Sequence, residues 1–266
     1  MSSPIGIAGM GWLGVPLAQH LRLLGYPIKG SVTSLEKATQ LQQSGFEVYS
    51  VTVSEEGMKG SVHAFLNHLE TLIVMIPPGL RNNTGSDYVL KMTHFLKEIE
   101  ASPVQKCVFI SSTSVYGDGQ GTVTEAAIPK PNHEAGRQLF QVEQLFFNAR
   151  FRCSIVRFGG LIGGTRQPVR YLAGREALSG GEAPVNLIHR DDCIGILSAI
   201  VQQNAFGHIF NAVHPSHPLK KDYYHQKALE MNLSPPSFSK EQETSHKKVN
   251  SINVPSLLNY PFQRDL

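Results

Sequence analysis

Six residues near the start of the chain constrain its fold more than any others: Gly9-Met10-Gly11-Trp12-Leu13-Gly14. They follow an apolar strand pattern at 4–8 and open a helical pattern at 13–24. In that context each glycine has a task. Gly9 permits a tight turn, Gly11 lets backbone approach a ligand, and Gly14 lets helix and strand pack closely. The helix start then offers free N–H groups to an anion. The spacing predicts a dinucleotide-binding loop, with Trp12 and Leu13 inside it.

The same alternation continues. Strands are expected at 27–32, 46–51, 72–76, 107–111 and 153–158, and helices at 34–44 (Ser34 as N-cap), 86–100 and 135–149. Short continuous apolar strands separated by amphipathic helices specify an α/β fold, a doubly wound parallel sheet covered on both faces. Residues 1–158 are read as this Rossmann domain and 159–185 as substrate-side loops. Residues 186–213, with a helix at 191–202 and a strand at 208–212, return to the core. Residues 214–266 are read as a small C-terminal lobe around one helix, 221–232.

Composition narrows the class. The 266 residues are 41% hydrophobic and 17% charged, which excludes a disordered or coiled-coil chain. No apolar run reaches the roughly 18 residues of a spanning helix, and no membrane partner is expected. Cys107, Cys153 and Cys193 have neither zinc-ligand spacing nor an even disulfide count, which fits a reducing cytoplasm. The scattered histidines form no metal motif, so no metal is assigned. Residues 1–150 carry a net charge of −1 and residues 151–266 one of +4. That asymmetry suits an anionic small-molecule substrate and is too weak for nucleic acid.

The cofactor expectation is NADP rather than NAD. An NAD site usually places an acid at the tip of the second strand. Here Ser31, Thr33 and Ser34 stand there with Lys37, and the nearest acid, Glu36, falls inside the next helix.

The strand at 107–111 runs into Ser111-Ser112-Thr113-Ser114-Val115-Tyr116-Gly117. With the glycine loop, Pro77-Pro78, Glu125, Val156-Arg157-Phe158-Gly159-Gly160 and Ile188-His189-Arg190-Asp191-Asp192, this string resembles the extended short-chain dehydrogenase/reductases, the NAD-dependent epimerase/dehydratase family. The resemblance reaches to about Ala212. It implies a cofactor site of Gly9, Gly11, Trp12, Leu13, Gly14, Thr33, Ser34, Pro77 and Ser111. It places Ser112, or Thr113 one residue on, where the family polarises a substrate hydroxyl or carbonyl. It implies that Arg166, Arg170, His189 and Arg190 line a cleft for a phosphorylated or nucleotide-linked sugar, together with Tyr116, which in the family usually packs its loop. It also implies a homodimer through 86–100 and 135–149.

One departure stands out. The family's catalytic tyrosine, and the lysine four residues later, should open the helix after Pro131. With Gly136 and Glu143 as anchors, those positions hold Ala135 and Leu139. The chain is therefore most similar to an atypical subgroup lacking that pair. His133 and Glu134 are the nearby groups able to serve as a base, provided burial brings them near neutrality. Two readings follow: an epimerase/dehydratase- or reductase-like enzyme, or a non-catalytic NAD(P)-binding sensor or scaffold.

Overall fold

The computed structural model describes residues 3–79, 85–239 and 246–266. Eight strands form one sheet: β1 (Ile5–Ala8), β2 (Ile28–Val32), β3 (Glu47–Ser54), β4 (Gly57–Gly60), β5 (Thr71–Val74), β6 (Lys106–Ser112), β8 (Arg152–Phe158) and β11 (Ile209–Ala212). Their order is β11-β8-β6-β5-β1-β2-β3-β4. Every pairing is parallel except β3 with β4, a hairpin that closes one edge.

The helices are α1 (Gly14–Leu23), α2 (Leu35–Gln43), α3 (Val62–Leu66), α4 (Tyr88–Glu100), α5 (Glu134–Phe147), α6 (Val169–Leu172), α7 (Arg190–Gln202), α8 (Lys220–Glu230) and α9 (Asn253–Leu258). Successive residues along a strand supply opposite faces of the sheet. Ile73 joins the cluster built with α1, α2, α7 and α9, whereas Leu72 and Val74 join the one built with α3, α4 and α5. Each fully buried Leu, Ile, Val or Phe contributes roughly 1.5–3 kcal/mol, so both layers are needed to hold the sheet. This is the doubly wound Rossmann architecture expected from the sequence.

The chain leaves β1 towards β2 and β3, then returns to add β5, β6, β8 and β11 on the other side. The reversal between β1 and β5 opens a crevice at their carboxyl ends, the usual place for a ligand in such sheets. The glycine loop and the segment after Val74 both emerge there.

The segments after β8 form two small parallel pairs. Strand β9 (Gly160–Ile162) pairs with β10 (Leu187–His189), and β7 (Gly121–Val123) pairs with β12 (Lys247–Val249). The second pair changes the picture of the C-terminal segment. Residues 246–266 fold back onto the main body, where Val254 and Leu258 enter the same core cluster as α1 and α7. Of the expected lobe, residues 214–239 carry α8, and residues 240–245 lie outside the described residues. Among the described residues no helix is long and apolar enough to cross a membrane.

Candidate active site

The glycine loop is built as its spacing requires. Gly9 has φ +111°, and the N–H groups of Gly9 and Met10 both donate to the Ser31 carbonyl, at 3.1 and 2.9 Å. A Cβ on Gly14 would collide with the Gly9 carbonyl, so only glycine lets α1 start this close to β1. A Cβ on Gly11 would meet nothing within 4 Å, which leaves that backbone open to a ligand. Helix α1 starts without a side-chain cap and without an acid in its first turn. Its N–H groups and dipole therefore remain for an anion, and the cradle fits a dinucleotide's phosphates.

The other expected cofactor residues surround this cradle unevenly. Leu13 is buried at the head of α1, and Pro77 is exposed beyond β5. Thr33 and Ser34 are exposed beyond β2. Ser34 caps α2, accepting from the Lys37 N–H at 3.3 Å, and keeps its own proton to donate.

At the end of β6 two adjacent serines part company. Ser111 is buried and donates to Glu143 of α5. Ser112 is half-buried and accepts from the Ser114 N–H at 3.1 Å. A hydroxyl that accepts from backbone retains its proton, so Ser112 can donate to an oxygen outside the fold. Thr113 is buried in the 3₁₀ turn Thr113–Val115 that follows.

Behind these serines lies a buried polar network. The Arg157 guanidinium grips Glu143 with Nε at 3.0 and 3.1 Å and Nη2 at 2.6 Å, and both side chains are 1% exposed. Burial alone would lower the Arg157 pKa, but Glu143 and Tyr116 outweigh it and leave the pKa raised. Arg157 is thus a strut of the core. The Tyr116 hydroxyl accepts from Arg157 Nη1 at 2.7 Å and faces the Thr124 carbonyl and Asn211. Its ring is fully buried, which corrects its expected place against substrate; it packs the loop. Burial is also the largest influence on its phenol and pushes it up, away from neutrality.

The start of α5 gives the expected base little support. Ala135 is half-buried, and Leu139 is turned into the apolar cluster with Phe109 and Phe146. Glu134 is exposed and held ionised by hydrogen bonds from Gln138 and Arg137, with its pKa lowered. The burial that would have brought it near neutrality is absent. His133 is exposed as well, 3.5 Å from Asp118.

The second half of the chain supplies the cationic wall. Arg166 and Arg190 both lie over the Trp12 ring, their Cζ atoms 4.8 and 5.3 Å from its centroid. Arg170 is exposed on α6 and is not one of the cations over that ring. His189 caps α7, its Nδ1 accepting from the Asp191 N–H at 3.2 Å. Asp192 accepts from the Tyr260 hydroxyl at 3.0 Å and the Gln263 N–H at 2.7 Å.

Sequence reasoning missed the groups that the tail delivers. Lys247 donates to the Tyr116 carbonyl at 2.7 Å and pairs with Asp118 at 3.1 Å. Glu125 receives Ser251, Ile252 and Asn253. Lys247 has no local signal, because its partners lie more than a hundred residues away, and Glu125, legible as a landmark, shows nothing in sequence of its tail partners.

No family model matches this chain. It is 33% identical over 249 residues to the protein YeeZ of Escherichia coli K12, an alignment covering 92% of this chain and 90% of YeeZ. The chain belongs to the YeeZ family. Solved structures extend the likeness at the level of fold. A UDP-glucuronic acid 4-epimerase from Bacillus cereus, in complex with NAD, superposes with a TM-score of 0.81 at 18% identity, covering 98% of this chain and 92% of the epimerase. MoeE5 in complex with UDP-glucose and NAD gives 0.80 at 16% identity, over 99% and 94%. A short-chain dehydrogenase/reductase superfamily protein from Agrobacterium tumefaciens with bound NAD gives 0.77 at 16%, over 98% and 93%. This YeeZ-family chain therefore shares the fold of NAD-dependent epimerases and short-chain dehydrogenase/reductases.

Proposed function

We propose that this YeeZ-family protein binds a nicotinamide dinucleotide at its glycine loop and is an epimerase/dehydratase- or reductase-like enzyme acting on a phosphorylated or nucleotide-linked sugar. The observation that carries the reading is the Gly9–Gly14 cradle at the β1/β5 crevice, with the free hydroxyl proton of Ser112 at the neighbouring strand end. The structural relatives that hold NAD or a UDP-sugar support it.

When bound, the dinucleotide supplies a hydride donor or acceptor. The uncapped start of α1 holds its phosphates. Thr33 and Ser34, with no carboxylate at the tip of β2, favour NADP as the partner. Ser112 donates its hydroxyl proton to the substrate oxygen, and the Ser111–Glu143–Arg157 network fixes the strand end that presents it. Of the residues considered for proton transfer, His133 beside Asp118 is the better placed, since Glu134 is held ionised.

A second reading, a non-catalytic dinucleotide-binding module, is favoured by Leu139 lying in the core and by the absence of a phenol at Ala135. One experiment separates the two. Purified protein is titrated with NADP⁺, NADPH, NAD⁺ and NADH, following Trp12 emission and heat, then incubated with a panel of nucleotide-sugars. The enzyme reading expects saturable binding and turnover that falls at least tenfold in Ser112→Ala with dinucleotide affinity unchanged. Binding without turnover selects the module. No binding to any of the four removes both.

A further inference from the structure

Two arginines from the second half of the chain meet on the one aromatic ring of the glycine loop, and neither has a carboxylate partner among the described residues. Like charges gathered on one ring repel unless an anion joins them. The backbone is shaped to bring them there. Gly163 and Gly164 both have positive φ, at +105° and +54°. A Cβ on Gly164 would lie 2.8 Å from Arg190 Nη1, so the glycine turn makes room for that guanidinium. The reciprocal Gly163–Arg166 backbone bonds, both 3.0 Å, tighten the turn and bring Arg166 back beside it. Arg190 also begins α7, which packs alongside α1.

The donors are in surplus. Trp12 Nε1 and Arg190 Nε are both buried with no hydrogen-bond partner among the described residues. Buried donors without acceptors are costly, and a group with several anionic oxygens is the economical remedy. The Trp12 ring itself belongs to the loop that leads into the uncapped start of α1, where the dinucleotide reading puts the phosphates.

We infer that Arg166 and Arg190 clamp the pyrophosphate of the dinucleotide, with Trp12 as the platform that holds the two guanidiniums together. The inference rests on the dinucleotide reading above and reassigns these arginines from the sugar substrate to the cofactor. Loops contributed by the second half of the chain then complete, over Trp12, a site begun by the first, with α7 already packed alongside α1.

The test is calorimetric binding of NADP⁺, NAD⁺, ADP and UDP to wild-type protein and to Arg166→Gln and Arg190→Gln, with thermal melts to confirm folding. Arg166 is exposed, so its variant reads the clamp even if Arg190→Gln disturbs α7. The clamp predicts that Arg166→Gln weakens the preferred dinucleotide and ADP by about ten- to a hundredfold, the loss expected for a charge-assisted contact. It also predicts that UDP binding is unchanged and that the salt dependence of dinucleotide binding becomes shallower. A variant that loses UDP while keeping the dinucleotide returns the arginines to the substrate and overturns the inference. So does a variant that binds all four ligands as wild type does. Failure of wild-type protein to bind either dinucleotide refutes the underlying reading instead.

Discussion

Replacing Glu143 by leucine tests the core of the site more severely than any change at its surface. The substitution leaves the Arg157 guanidinium 1% exposed with its carboxylate gone, and takes the acceptor from Ser111. Removing one partner of a buried pair costs about 3–5 kcal/mol, mostly the penalty of stranding the other charge. For a domain of this size each kcal/mol moves the midpoint by about 2–4 °C, so Tm should fall by about 6–20 °C. The reasoning assigns the loss to the stranded charge and not to the missing bond. Adding Arg157→Met should therefore recover most of it, leaving about 1–3 kcal/mol for the unpaired Ser111 hydroxyl. Tyr116 keeps the Thr124 carbonyl and Asn211 as partners in the double variant. Thermal and denaturant unfolding of the wild type, both single variants and the double complete the cycle. A single variant within about 1 kcal/mol of wild type, or a double variant as unstable as the summed singles, would refute the reasoning.

Three further outcomes are expected. Gly14→Ala drives a Cβ onto the Gly9 carbonyl, backbone that has no rotamer to yield; dinucleotide affinity should drop at least tenfold by calorimetry, with a stability loss of about 1–3 kcal/mol. Burial holds the His217 pKa below its usual value, and its ring bonds the Val185 carbonyl at 2.9 Å. The unfolded chain then binds the extra proton, so stability is complete above about pH 6.5 and falls as the pH drops through it; denaturant melts should show a shallower acid decline in His217→Gln. Asp192→Ala removes the acceptor of Tyr260 and Gln263 and should expose the 246–266 segment to limited proteolysis while the sheet still melts cooperatively.

The sheet was legible because its signals are local. The glycine loop, the apolar runs and Ser34 as a cap can each be read within a dozen residues, and each is present. The β3–β4 hairpin escaped because β4 is four residues, two of them glycine, with no apolar alternation to mark it. The β7–β12 pair escaped because neither three-residue strand means anything until the other is beside it. At the site, residue type was readable and burial was not. Arg157 is legible only as one position of an apolar strand, yet it lies on β8 facing α5, and Glu143, the acid that binds it, is visible in sequence only as a position in a helix. Glu134 shows the converse: its place at the helix start is correct, but in solvent, with Gln138 and Arg137 donating to it, it is held ionised with a lowered pKa.

The pairing of β12 with β7 has a consequence for synthesis. About 125 residues separate the two strands, and chains lengthen at roughly 5–20 residues per second, so β7 waits on the order of 6–25 s for its partner. By then β1 to β11 have emerged and the sheet has what it needs to form. During the interval Glu125 has none of its three tail partners, and Asp118 has no Lys247. The strands and helix that carry the glycine loop are thus made on the nascent chain well before the 118–125 segment gains its tail partners.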